Sequence, residues 1–258
     1  MMHRLRFIAE NTFREAVRDR VLYNLIAFAL LLVATTPLFG KISIGLERIV
    51  LINLGLSAIT LFGVVVAIFI GIGLVSKEID KRTLYTVLAR PVRRWEFILG
   101  KYLGLAATLA VNTFFMCLGL FGALLFVTHK LNRADLPVLT AVYFILLEFL
   151  IVTAIAILFS TFSTPIFSAL FSFAMFVVGS FADDLRGFAG MTEGATSFFT
   201  KALAYGVPNF SAMNVVSRAA HGTSLPATLV LHTSLYALFY SGLALSAAVL
   251  IFERRDLK

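Results

Sequence analysis

Residues 50–75 read VLINLGLSAITLFGVVVAIFIGIGLV, and residues 76–101 continue SKEIDKRTLYTVLARPVRRWEFILGK. The first stretch has no charged residue and exceeds the roughly 18 apolar residues that mark a membrane-spanning helix. The second is a charged island that holds seven of the chain's 22 basic residues. Within it Leu84, Val87 and Leu88 recur at three- and four-residue spacing, which predicts a short amphipathic helix. Pro91 ends that helix, because it has no amide hydrogen and disfavours helical geometry at Arg90. Arg93, Arg94 and Trp95 follow, the last suited to the headgroup layer, and after Gly100 the chain re-enters the membrane. A short helix held at the membrane surface between two spans is placed to receive a push from a soluble partner.

The composition agrees with a membrane protein. Of 258 residues, 60% are hydrophobic and 14% charged, with a mean hydropathy of +0.94. Soluble domains are nearer half apolar and about a quarter charged. The apolar runs lack the polar/apolar alternation over roughly ten residues that a membrane barrel needs, so the expected fold is all-α. The net charge of +8 does not point to nucleic acid, because the basic residues lie at span ends rather than on one polar face. Cys117 is the only cysteine, which excludes an internal disulfide. The first twenty residues include Glu10, Glu15 and Asp19, too acidic for a signal n-region, so the N-terminus is expected to be retained.

Read in order, the chain is one transmembrane domain over 1–258. Residues 1–20 form an interfacial helix with Leu5, Ile8, Phe13 and Val17 on one face and Arg4, Arg14, Arg18 and Asp19 on the other. Six spans are expected, at about 21–39, 50–75, 98–128, 136–159, 166–181 and 225–252. Gly55, Gly63, Gly71 and Gly73 offer close-packing surfaces on the second. In the turn Ser160-Thr161-Phe162-Ser163-Thr164-Pro165, Ser and Thr are suited to cap helix ends and Pro165 to open the fifth span. Residues 76–98 form a loop between spans, and 182–224 a longer non-span region before the last span. There Asp183, Asp184, Gly187, Gly190 and Gly194 suggest a flexible outer turn. Phe198, Phe199, Leu203 and Tyr205 then suggest an amphipathic or re-entrant piece ending near Gly206-Val207-Pro208-Asn209.

Six spans put both termini on one side. That side carries Arg4, Arg6, Arg14, Arg18, Arg20, the seven basic residues of the island, Arg254, Arg255 and Lys258. The other side carries only Lys41, Arg48, Lys130, Arg133, Arg186, Lys201 and Arg218. The excess places the termini and the island in the cytoplasm of a multi-pass inner-membrane protein.

No stretch matches a P-loop: Gly100-Lys101 is followed by Tyr102 and lacks the upstream glycine. No H-E-x-x-H, paired cysteine or clustered histidine appears, and Met191, Met213 and His221 do not have ligand spacing for copper. The expectation is therefore no catalytic residue, no metal and no cofactor on this chain. Glu148 is the sole acidic residue well inside a span. A charge there costs about 3 kcal/mol on insertion scales, so it faces protein or a wet cavity, or holds its proton. One reading is a contact with cargo or a proton; the other, which we favour, is an interhelical hydrogen bond to Asn112 or His232.

The run Glu78…Thr83-Leu84…Leu88…Pro91-Val92-Arg93…Glu96…Leu99-Gly100-Lys101 resembles the first cytoplasmic loop of ABC transporter permeases of the type-2 (export) class. NTFREAVRDRVLY at 11–23, STFSTP at 160–165 and FERRDL at 252–257 are similar to the same family, in the same order. The resemblance implies a six-helix subunit that forms a homodimer, or pairs with a close relative, and binds two ATP-binding subunits. ATP and Mg would sit on those partners. It also implies a coupling helix over about 79–89, with Glu78, Ile79, Arg82, Thr83, Leu84, Tyr85 and Leu88 meeting the ATPase. Arg82 stands where many relatives have Gly. Short helices before the last span would cap the outer end of the pathway, which makes Phe198, Phe199, Tyr205 and Pro208 candidate gate residues; an ordered surface loop is the equal alternative. Permeases of copper-processing and gliding-motility systems are similar, and they identify no cargo. A membrane anchor or mechanical scaffold worked by the same ATPase is the alternative function.

Overall fold

The computed structural model of the protein describes residues 2–18, 46–80, 93–130, 132–191 and 195–254, with single positions between 23 and 35. Nine α-helices carry most of these residues: α1 (Met2–Val17), α2 (Glu47–Asp80), α3 (Arg94–Thr128), α4 (Leu136–Phe162), α5 (Pro165–Ser180), α6 (Ala182–Met191), α7 (Ala195–Gly206), α8 (Val216–Ala220) and α9 (Ala227–Arg254). No strand occurs among the described residues.

Helix α4 is the hub. It is apolar around its whole circumference, the pattern of a helix enclosed by others, and α2, α3, α5, α8 and α9 all pack on it. Phe144, Phe149, Ile151, Val152, Ala154 and Ile157 are fully enclosed. Three of the four glycines singled out on α2 are pressed against neighbours: Gly55 meets Leu120, Gly63 meets Phe149 and Gly71 meets Ala156. Gly73 differs, with open space where a Cβ would stand.

Four described helices, α2, α3, α4 and α9, are long and apolar enough to cross a membrane. At the expected fifth span the chain forms a bent pair of helices. Helix α5 has 16 residues, roughly 24 Å at 1.5 Å per residue, short of the ~30 Å hydrocarbon core. It bends by 66° into α6, and the pair counts as a fifth crossing only if taken together. The expected first span, 21–39, lies outside the described residues, so the described crossings number four or five rather than six.

Two boundaries differ from the sequence reading. Helix α2 runs five residues into the charged island, to Asp80, because Ser76-Lys77-Glu78-Ile79-Asp80 contains no helix breaker. Asp183, Asp184, Gly187 and Gly190, expected in a flexible turn, lie within α6 instead. The two carboxylates occupy its first turn, where the helix dipole favours negative charge and offsets the cost of the glycines. At 160–165, Pro165 does open α5, but Thr164 makes no side-chain cap. Ser160 and Thr161 instead donate back to the Ile157 and Leu158 carbonyls, at 2.7 and 2.6 Å, within the last turn of α4.

Each end of the bundle is tied by one arginine. At one end Arg48 donates to Asp135 and to the carbonyls of Ala134 and Ala220, which joins the start of α2, the α3–α4 connection and α8. At the other end Arg94 Nη1 donates to the carbonyls of Phe252 (2.6 Å) and Glu253 (2.9 Å), two of the carbonyls that the last turn of α9 leaves unpaired. Its guanidinium lies 5.7 Å over the Phe252 ring. Helix α1 packs on the start of α3 at this same end. Thus α1, the start of α3 and the end of α9, assigned to one membrane face by charge, share one end of the bundle.

Helix α1 docks through a face turned slightly from the expected one. Thr12 and Ala16 are its buried residues, while Leu5, Ile8, Phe13 and Val17 are half-buried. Gly100 and Gly104 on α3 set the contact: a Cβ at Gly104 would lie 2.5 Å from the Ala9 carbonyl oxygen, and one at Gly100 would lie 2.7 Å from Ile8. Only glycine lets the two helices approach this closely.

Candidate functional site

A cavity of about 210 Å³ opens between α2, α4, α5 and the segment 210–216. Helix α2 supplies Ser57, Thr60 and Leu61, spaced three and four residues apart on one face. Helix α4 supplies Ala141, Ile145 and Glu148 on the same spacing rule, and α5 supplies Phe176 and Ser180. The segment before α8 closes the site with Phe210, Ser211, Met213 and Asn214.

That segment is held by a dense local network. Asn209 Nδ2 donates to Asp183 Oδ1 (3.1 Å), and Asn209 Oδ1 accepts from Ser211 Oγ (2.8 Å) and the Ala212 amide (3.1 Å). The Asn209 amide donates to Tyr236 Oη at 2.9 Å, and the Phe210 amide to the Gly179 carbonyl at 3.0 Å. A Cβ at Gly179 would sit 2.5 Å from the Phe210 ring and 2.6 Å from the Pro208 carbonyl oxygen, so this position on α5 admits the segment only as glycine. Phe176 and Phe210 meet at 5.6 Å between ring centroids, tilted by 46°.

Glu148 is 7% exposed and lines the cavity, and no hydrogen bond or ion pair among the described residues reaches its carboxyl group. The expected hydrogen bonds to Asn112 and His232 are not made. Asn112 is buried on α3 with its Oδ1 unpartnered, and His232 stands exposed on the outer face of α9. The physical reason is rotational: along an enclosed helix such as α4, apolar periodicity does not say which neighbour a given residue faces. Glu148 faces the cavity.

The candidate gate residues disperse. Pro208 is buried beside Gly179, whereas Phe198 and Tyr205 are 74% and 70% exposed on α7. The guanidinium of Arg186 lies 5.4 Å over the Tyr205 ring and 3.8 Å from Asp183, which ties α6 to α7. The side chain of Phe199 lies outside the described residues.

The same holds for the coupling positions. Glu78 and Ile79 lie in the last turn of α2, with side chains outside the description, and Arg82, Thr83, Leu84, Tyr85 and Leu88 lie outside it altogether. What is described is the return into the membrane. Glu96 Oε2 accepts from the Arg93 amide at 3.2 Å and caps α3, and Phe97 stacks on Phe252 at 6.2 Å. Lys101 is buried with its ammonium 4.9 Å over the Phe97 ring.

The family model for ABC-2 family transporter proteins matches residues 6–257, nearly the whole chain. The chain belongs to the ABC-2 transporter family. It is a membrane permease of an ABC transporter, a class of transport subunit that works with an ABC ATP-binding subunit. No curated protein matches the sequence significantly. Sequence reasoning found Glu148 but missed Ser57, Thr60, Ser180, Ser211 and Asn214 around it. The paired spacing of Ser57 with Thr60 on an otherwise apolar face was the one available signal.

Proposed function

We propose that this ABC-2 permease is the membrane-spanning half of an ATP-driven exporter in the inner membrane, with both termini in the cytoplasm. Two copies form the pathway between them, and two ATP-binding subunits dock on the cytoplasmic end. Residues 79–89, which begin in the last turn of α2, act as the coupling segment there, with Glu78, Arg82, Thr83 and Tyr85 as its polar contacts. ATP favours one permease state only through a difference in these contacts between states, because a ligand shifts a conformational equilibrium only by its differential affinity. Lacking a P-loop, the permease hydrolyses no ATP itself and passes on motion that starts in its partner.

The supporting observation is the family match over 6–257, joined to the position of the charged island between α2 and α3. That end of the bundle also carries α1 and the Arg94 contact to α9, elements that a docked ATPase would push on. Purification in mild detergent is the test: an ATP-binding subunit should co-elute, and its absence would count heavily against the proposal. Labelling of cysteines placed at 79–89 by an impermeant reagent on intact cells should fail; efficient labelling would reverse the orientation and remove the coupling role. With Glu78→Ala and Arg82→Ala combined, ATP hydrolysis by the complex should lose its response to cargo.

A further inference from the structure

We propose that the Glu148 cavity is a binding site, within a single subunit, for a small organic ammonium ion. Such a site would bind its ligand with or without an ATPase attached, independently of ATP coupling. Three features of the cavity converge on a cation with an apolar body. Glu148 is more than nine-tenths buried, is the only ionisable group among the described lining residues, and pairs with no described residue. A carboxyl group withdrawn from water supplies the counter-charge to an ammonium group once its proton is released to water, and the pair then forms a charge-assisted hydrogen bond.

Phe176 and Phe210 present ring surface to the same space, 5.6 Å apart and tilted by 46°. Aromatic faces attract ammonium groups through the ring quadrupole and shelter their alkyl chains. Ser57, Thr60, Ser180, Ser211 and Asn214 supply polar atoms around the rim. Thr60 already donates its hydroxyl to the Leu56 carbonyl at 3.0 Å, which leaves the oxygen lone pairs as acceptors for an N–H donor. The size is also restrictive. A dry cavity of about 150 Å³ takes a benzene ring, so the 210 Å³ here suits an amine of a few carbons and not a drug-sized molecule.

The segment carrying Phe210 is fixed to α5 and α6 through Gly179, Asn209 and Asp183. The site is therefore assembled before any ligand arrives. A pre-formed site avoids the ordering cost of one that closes on its ligand.

The experiment uses the full-length protein in lipid nanodiscs, with any co-purifying subunits retained, titrated with n-butylammonium and with n-butanol as the neutral analogue. Binding is read by saturation-transfer NMR. Butylammonium should bind at least about tenfold more tightly than butanol, and Glu148→Gln should remove that preference while Phe210→Leu weakens it. Thermal unfolding of Glu148→Gln checks that the variant is folded. Equal binding of the two probes, or equal butylammonium binding by the parent and Glu148→Gln, overturns the proposal. So does a folded parent that binds neither probe, since the carboxyl group would then serve only a proton.

Discussion

Arg48 Nη2 lies 2.8 Å from Asp135 Oδ1 across 87 residues of chain, and the same guanidinium donates to the carbonyls of Ala134 and Ala220. Asp135 also accepts the Asn132 amide through Oδ2 at 2.7 Å, so both carboxylate oxygens are used. One residue thus joins three connections that are distant in sequence. Because Asp135 is 5% exposed, removing Arg48 leaves a buried carboxylate without its counter-ion.

Arg48→Ala should therefore destabilise the protein by about 2–4 kcal/mol, more than an exposed ion pair is worth. Thermal unfolding in detergent reads this directly. Adding Asp135→Asn to Arg48→Ala should recover part of the loss, because the stranded charge goes with it.

Gly104→Leu should lift α1 from α3, since a Cβ at Gly104 already lies 2.5 Å from the Ala9 carbonyl. Overfilling of this kind costs about 1–3 kcal/mol where the partners can move. Limited proteolysis should cut within 2–17 in the variant and spare that segment in the parent. Equal cleavage would mean that α1 is not held by this contact.

Asn209→Ala removes three hydrogen bonds that hold the segment over the cavity, to Asp183, Ser211 and the Ala212 amide. A loss of about 1–3 kcal/mol is expected, together with faster hydrogen exchange at 207–216. Gly179→Ala should act on the same amides through the Phe210 ring and the Pro208 carbonyl. Exchange unchanged in both variants would show that the segment is held elsewhere.

Glu148→Leu should raise stability by about 1–3 kcal/mol, because a buried carboxyl group that no described residue pairs with gives way to an apolar side chain of similar size. A fall in the unfolding temperature would instead reveal a partner for the carboxyl group, for instance one supplied across a dimer interface. The variant therefore separates a residue kept for binding from one kept for packing.

The helices α2, α3, α4 and α9 could be read from the sequence to within a few residues. So could the role of Pro165 at the start of α5 and the presence of a helix at the N-terminus, though not its docking on α3. What could not be read was the bend after Ser180, where apolar character ends but helical structure resumes one residue later through Asp183 and Asp184. Glu148 was legible as an anomaly, a lone acid in an apolar run. Its surroundings were not, because Ser211 and Asn214 lie more than sixty residues downstream and reach it only through the docking of 207–216 against Gly179.

The sequence by itself determined that this is an α-helical membrane protein, where its four long described helices lie, and its family. The helices follow because a chain in hydrocarbon must satisfy its backbone within each helix, so a long unbroken span announces itself locally. Only the tertiary structure decided that Glu148 turns from Asn112 and His232 toward a cavity, and that one arginine ties each end of the bundle. An enclosed helix is apolar on every side. Which neighbour each of its residues meets is set by how the helices pack together, and no local pattern records that.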